Sequence, residues 1–262
     1  MSAPLKTRSI AALLAMVAVL VVNTMAVLLP INQMSTGAIS DLYPNYFVPA
    51  GFTFSIWSVI YLLLLCFCGY ALWFSFSNQQ QSTVKELLPG LLILFLLTCL
   101  INCSWIFLWH YLQIELSLLV MLLFLLTLIG IYRKLGEKNN SLSRTAYFLL
   151  QVPFSVYLGW ISVATIANTT ALLVSMGWEG GFLSPVSWAA IMMVVAVLLG
   201  LFLLFSRKDL AYPLVITWAL YGIYFKQGDQ PLLAGVSATG IGILLLALLY
   251  QFWKGRKKSP GL

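Results

Sequence analysis

Ionisable side chains are scarce in this chain. Charged residues make up 8% of it, acidic residues number seven, and there is one histidine, His110. That scarcity excludes several classes of function. No serine elbow, phosphate loop or His-rich cluster is present, and nothing resembles a general acid–base pair, so an enzyme is not expected. The four cysteines, Cys66, Cys68, Cys99 and Cys103, lie inside apolar runs with neither metal-ribbon nor redox spacing. They read as soft apolar filler rather than as metal ligands. No carboxylate or basic group falls inside an apolar run away from its ends, which argues against a proton- or ion-coupled transporter.

What fills the chain is hydrocarbon, at 61% hydrophobic residues. Eight apolar segments are read at 10–29, 50–76, 87–111, 115–133, 145–174, 185–206, 210–226 and 232–253. Most reach the ~20 residues that span a ~30 Å hydrocarbon layer. Lipid offers no partner to a backbone amide, so the segments must be helices or a closed barrel. Barrel strands alternate apolar and polar residues, and the run from Leu118 to Ile129 does not. The expected fold is an all-α polytopic membrane bundle of eight transmembrane helices. Its expected division is 1–175, a five-helix membrane unit, and 176–262, a three-helix extension with a basic tail.

The charges sort between the segments. With eight spans, every Lys and Arg except Lys226 falls on the side that holds both termini, while Asp41, Glu115, Glu179 and Asp229 fall on the other. Lys and Arg collect in cytoplasmic loops, so both termini are expected in the cytoplasm, most simply of a bacterial cell. The net charge of +7 then needs no nucleic-acid partner. Anionic lipid contacts are expected at Lys254–Lys258. The first segment follows Lys6 and Arg8, yet its run is longer than a signal core and ends without a small-x-small site, so cleavage is not expected.

Polar groups buried at membrane depth are the remaining place for function. Trp57 and Tyr61, four apart, share a face of the second segment. Asn102, Trp105 and Trp109 share a face of the third, and Tyr157, Trp160, Ala164 and Asn168 a face of the fifth. An amide in lipid is costly unless bonded, so Asn102 and Asn168 are expected to point inward. Such faces can wall a largely apolar ligand pocket. They can equally be inter-helix glue. His110, between Trp109 and Tyr111, reads as part of an interfacial aromatic belt, with haem ligation as the sharper alternative. The Pro30–Pro49 loop is long enough to fold over a cavity, and the Gly177–Pro185 linker is rich in turn residues and aromatics. In the last segment Ala234, Ala238 and Gly242 form a small-residue stripe through which helices six to eight are expected to pack as one group against the five-helix unit.

The stretch Tyr157-Leu-Gly-Trp160-x-x-x-Ala164-Thr165-x-x-Asn168 resembles the fifth-helix signature of the tryptophan-rich sensory protein/translocator protein (TspO/MBR) family. Pro49 followed by Trp57-x-x-x-Tyr61 and Asn102-x-x-Trp105 are similar to its second- and third-helix motifs. The resemblance covers about 10–175. The chain departs from the family pattern at Phe54-Ser55, Leu64-Leu65 and Val156-Tyr157. The resemblance implies a five-helix bundle whose cavity, capped by the first loop, binds a porphyrin or another flat apolar molecule. A ligand-handling or sensing role follows from it, with Trp57, Tyr61, Asn102, Trp105, Tyr157, Trp160, Ala164 and Asn168 as ligand-binding residues. A tetrapyrrole is the expected ligand. Membrane lipids and the small ligand are the expected partners, with homodimer pairing as a further one. The alternative is a small-solute transporter, in which the added helices and their glycines permit rocking.

Overall fold

Leucine-rich runs without internal charge leave the backbone no option but to bond to itself, and the chain is helical throughout. The computed structural model describes residues 3–29, 31–77, 81–137 and 141–257; Pro30, Lys138 and Lys258, named above, lie outside them. The helices are α1 (Ala3–Leu28), α2 (Thr36–Asp41), α3 (Ile56–Phe76), α4 (Ser82–His110), α5 (Ile114–Gly136), α6 (Arg144–Ala146), α7 (Val152–Ser175), α8 (Pro185–Arg207), α9 (Ala211–Lys226) and α10 (Pro231–Lys257). A 3-10 turn, Gly51–Ser55, precedes α3, and a π-helical turn, Tyr147–Gln151, joins α6 to α7. No strand occurs among the described residues.

Each of the eight expected segments is helical. Seven helical stretches among the described residues are long and apolar enough to cross a membrane. The seventh in order, α9, is shorter. Its 16 residues reach about 24 Å, less than the ~30 Å of a full hydrocarbon layer. Leu14, Leu62, Leu100, Leu126, Phe202 and Leu246 stand 62–69% exposed, which water would penalise and lipid tails do not.

The chain forms two compact units. Unit 1 comprises Met1–Leu42 and Ser55–Ile161; unit 2 comprises Tyr43–Phe54 and Ser162–Leu262. This division differs from one at residue 175 by the second half of α7 and by the Tyr43–Phe54 segment. In unit 1, α4 packs against α1 and α5, and α1 against α3. Phe67, Phe95 and Phe154 meet edge-on at centroid distances of 4.9–6.1 Å. Ser9 Oγ lies 2.7 Å from Ser75 Oγ, a polar pair holding α1 to α3.

In unit 2, α8, α9 and α10 pack on one another. The face of α10 that does so is Leu233, Ser237, Gly240 and Leu244, all buried. A Cβ on Gly240 would come within 2.8 Å of Val197 and 3.1 Å of Leu220. The Ala234–Ala238–Gly242 stripe expected to pack is therefore not the packing face. Ala238 is exposed, and a Cβ on Gly242 would meet nothing within 4 Å. Four-residue spacing alone cannot tell which of several small residues a neighbouring helix approaches. The Asp209 carboxylate starts α9 by accepting from the amides of Ala211 (2.9 Å) and Tyr212 (3.2 Å), which satisfies orphan donors of that helix end.

Candidate functional site

Two assemblies of polar and aromatic side chains stand out, one in each unit. In unit 1, Asn102 of α4 is buried at 1% exposure. Its amide oxygen accepts from Asn23 Nδ2 of α1 at 2.8 Å, and its Nδ2 donates to the Tyr157 hydroxyl of α7 at 3.2 Å. Asn23 spends its other hydrogen on Val19 O at 2.9 Å. The Tyr61 hydroxyl is buried beside the Asn102 amide without a hydrogen bond of good geometry. Around this core the rings pack on each other. Trp57 stacks on Tyr61 at 5.4 Å and meets Tyr157 and Trp160 edge-on at 6.0 and 6.2 Å. Phe124 adds a further edge contact to Tyr157 at 5.1 Å.

Five of the residues expected from the sequence, Trp57, Tyr61, Asn102, Tyr157 and Trp160, thus converge. Trp105 stacks on Trp109 at 5.6 Å and both are buried. Asn168 is buried, as its cost in lipid requires, and Ala164 is half-buried; both belong to unit 2. Asn23, which completes the amide chain, was missed. The rule that placed Asn102 inward applies equally to it, but α1 has no aromatic neighbours at helical spacing to draw attention there.

His110 is buried, not part of a lipid-facing belt. Its Nδ1 donates to Ile31 O at 3.0 Å and its Nε2 lies 3.0 Å from Thr36 Oγ1. With Asn32 Nδ2 donating to His110 O at 3.0 Å and Trp109 Nε1 to Thr36 O at 3.2 Å, the end of α4 ties down residues 31–36. Both ring nitrogens are engaged, which leaves none for haem iron.

Unit 2 contains a cavity of about 850 Å³. Tyr46 and Phe47 line it from the first loop, Thr169 and Leu173 from α7, and Trp178 and Trp188 from the Gly177–Pro185 linker and the start of α8. The lining is largely apolar. Thr169 and Thr170 donate to carbonyls of their own helix, at 2.8 and 2.9 Å, so the α7 wall offers mainly methyl groups. A Schellman-type end closes α7: Trp178 N bonds Leu173 O at 3.0 Å, Gly177 N bonds Val174 O at 2.9 Å, and Gly177 takes φ +73°. That turn brings Trp178 back toward Trp188, at 5.6 Å between rings. Trp188 Nε1 is pinned to Gly180 O at 2.6 Å.

The loop segment that lines this cavity is held by α9. Ala50 N bonds Gly222 O at 3.0 Å, Trp218 Nε1 bonds Thr53 O at 2.9 Å, and Gln227 Nε2 bonds Asn45 O at 3.4 Å. Phe52 packs among Trp218, Tyr221 and Phe225 at 5.4–5.8 Å. The expected loop does border a cavity, but with α7 and α8 rather than with the second and third segments. Trp218 and Gly222 carry no spacing signal, since each acts on residues far away in the chain, and Trp188 acts on Gly180 and Trp178 across a loop that no helical period spans.

The family comparison agrees with this architecture. A family model described as TSPO-like protein matches residues 9–250. Among curated proteins and among solved structures none matches. The match runs past residue 175 and takes in α8, α9 and most of α10, so the added helices are part of what the family model describes. A polytopic helical membrane chain with its amide–aromatic cluster drawn from α1, α3, α4, α5 and α7, matched over nearly its whole length, belongs to the TSPO-like family.

Proposed function

We propose that this protein binds a flat, largely apolar ring molecule of tetrapyrrole-like size and handles or senses it within the membrane. The cavity in unit 2 carries the reading. Its volume of about 850 Å³ lies within the ~300–1,000 Å³ typical of small-molecule sites. Tyr46, Phe47, Trp178 and Trp188 offer ring surfaces, and each offset-stacked or edge pair adds ~0.5–1.5 kcal/mol beyond area burial. The distribution of Lys and Arg supports a bacterial cytoplasmic membrane with both termini inside.

Titration of the protein in mild detergent with a porphyrin free of carboxylate groups tests the reading, followed by tryptophan quenching and by the porphyrin absorption band. Saturable quenching is expected. Trp188→Ala is expected to weaken it by ~1–3 kcal/mol, through lost area and lost stacking. If Trp160→Ala weakens it and Trp188→Ala does not, the ligand sits instead among Trp57, Tyr61, Asn102, Trp105 and Tyr157. Absence of saturable quenching ends the reading and moves small-solute transport ahead.

A further inference from the structure

We infer that the ligand of the unit 2 cavity is an apolar organic cation, such as a ring system bearing an ammonium group, selected by the Glu179 carboxylate together with the Trp178 and Trp188 indoles. The inference deepens the proposed function and rests on it. Among the residues lining the cavity, Glu179 alone is charged; no Lys, Arg or His joins it. It follows Trp178 directly in the linker that lines the cavity, and the chain there is fixed by its turns. Gly180 and Gly181 take φ +101° and +66°, a region that L side chains resist. A Cβ on Gly180 would also come within 3.2 Å of Pro185 N. The Trp188 hydrogen bond to Gly180 O, at 2.6 Å, holds the indole to the same turn. Glu179 is exposed and shares the cavity wall with two indoles, a composition that recognises ammonium groups, since the ring quadrupole and the acid attract the same sign.

Other fields at this end of unit 2 do not overturn that sign. The C-terminal end of α7 and the N-terminal end of α8 both reach the cavity, so their macrodipoles oppose each other there. Lys226 and Asp229, in the α9–α10 turn, carry opposite charges. Among the described residues of the cavity wall, Glu179 remains as the one charge. Thr169 and Thr170 of α7 donate to their own helix and supply no strong donor for an anionic ligand.

Three anthracenes of one shape test this: 9-(aminomethyl)anthracene as cation, 9-anthracenemethanol as neutral, and 9-anthracenecarboxylate as anion. Energy transfer from the protein's tryptophans is read in detergent micelles, with protein-free micelles carrying a tryptophan alkyl ester correcting for partition into the micelle. The full-length protein is expected to bind the ammonium compound about five- to tenfold more tightly than the alcohol, and the carboxylate least. Glu179→Gln is expected to bring the ammonium compound to the level of the alcohol without changing the alcohol, and Glu179→Asp to restore part of the preference. Equal binding of all three, or an unchanged preference in Glu179→Gln, overturns the inference while leaving apolar ligand binding intact. If none of the three binds saturably while the porphyrin still quenches the tryptophans, the inference fails and apolar ligand binding stands; if the porphyrin fails as well, both readings fall.

Discussion

The indole nitrogen of Trp218 donates a 2.9 Å hydrogen bond to the carbonyl oxygen of Thr53, 165 residues earlier in the chain. One turn further along α9, Gly222 brings its backbone so close that an added Cβ would collide with the Thr53 hydroxyl and stand 2.9 Å from Pro49 Cβ. These two contacts, with the Ala50 N–Gly222 O bond, make α9 the seat of the loop segment that lines the cavity. They also give the buried face of α9 its role, which is to serve the interior of unit 2.

Gly222→Ala is expected to displace the Tyr43–Phe54 segment. The steric conflict is with backbone-linked atoms of Pro49 and Thr53, so relief requires movement of the segment, at ~1–3 kcal/mol. Thermal unfolding in detergent should register the loss, and the porphyrin titration should weaken although Gly222 does not line the cavity. Trp218→Phe is expected to cost ~0.5–1.5 kcal/mol for the lost bond. Tyr221→Phe, which keeps its ring against Phe52, should leave both measurements unchanged.

Asn102→Ala is expected to destabilise unit 1 by ~1–3 kcal/mol, since it removes one of the two partners of the Asn23 amide and leaves the buried Tyr157 hydroxyl without the Asn102 donor. Bilayer reference states soften such penalties, so the lower end is expected. A double-mutant cycle with Asn23→Ala, read by thermal unfolding, should show coupling between the two sites. Additive losses would mean the amide chain contributes nothing as a unit.

Gly240→Leu and Gly242→Leu form a matched pair on α10. The first drives a side chain into Val197 and Leu220, at 2.8 and 3.1 Å from its Cβ, while the second meets nothing within 4 Å. A loss of ~1–3 kcal/mol is expected for Gly240→Leu and a change within ~0.5 kcal/mol for Gly242→Leu. Equal losses would place a helix against the Gly242 face.

A cysteine placed at Asn139, in a cysteine-free background, should be labelled from the cytoplasmic side only. The linker between the fourth and fifth segments carries Lys138 and follows Arg133 and Lys134, and such charges are retained inside. Labelling by an impermeant reagent applied outside intact cells would refute both the orientation and the count of eight crossings on which it rests.

Helix existence and position were legible because the bilayer leaves one solution for long apolar runs. The expected segment 185–206 appears as Pro185–Arg207, and 115–133 as Ile114–Gly136. Amide burial was legible for the same reason: Asn102 and Asn168 lie at 1% and 2% exposure, because an amide in hydrocarbon must find a partner. Choosing among chemically equal residues was not. Gly240 and Gly242 differ only in what lies opposite them.

Composition and charge order by themselves determined that this protein is a polytopic helical bundle, and three short motifs pointed to its family. These are properties of single segments in a solvent that satisfies no backbone group. The tertiary structure alone decided that the Trp57 rings pack on one another, that a cavity forms where the first loop, α7 and α8 meet, and that α9 holds that loop through Trp218 and Gly222. Each depends on contacts between residues far apart in the chain, and no local periodicity records which distant backbone a glycine is there to admit.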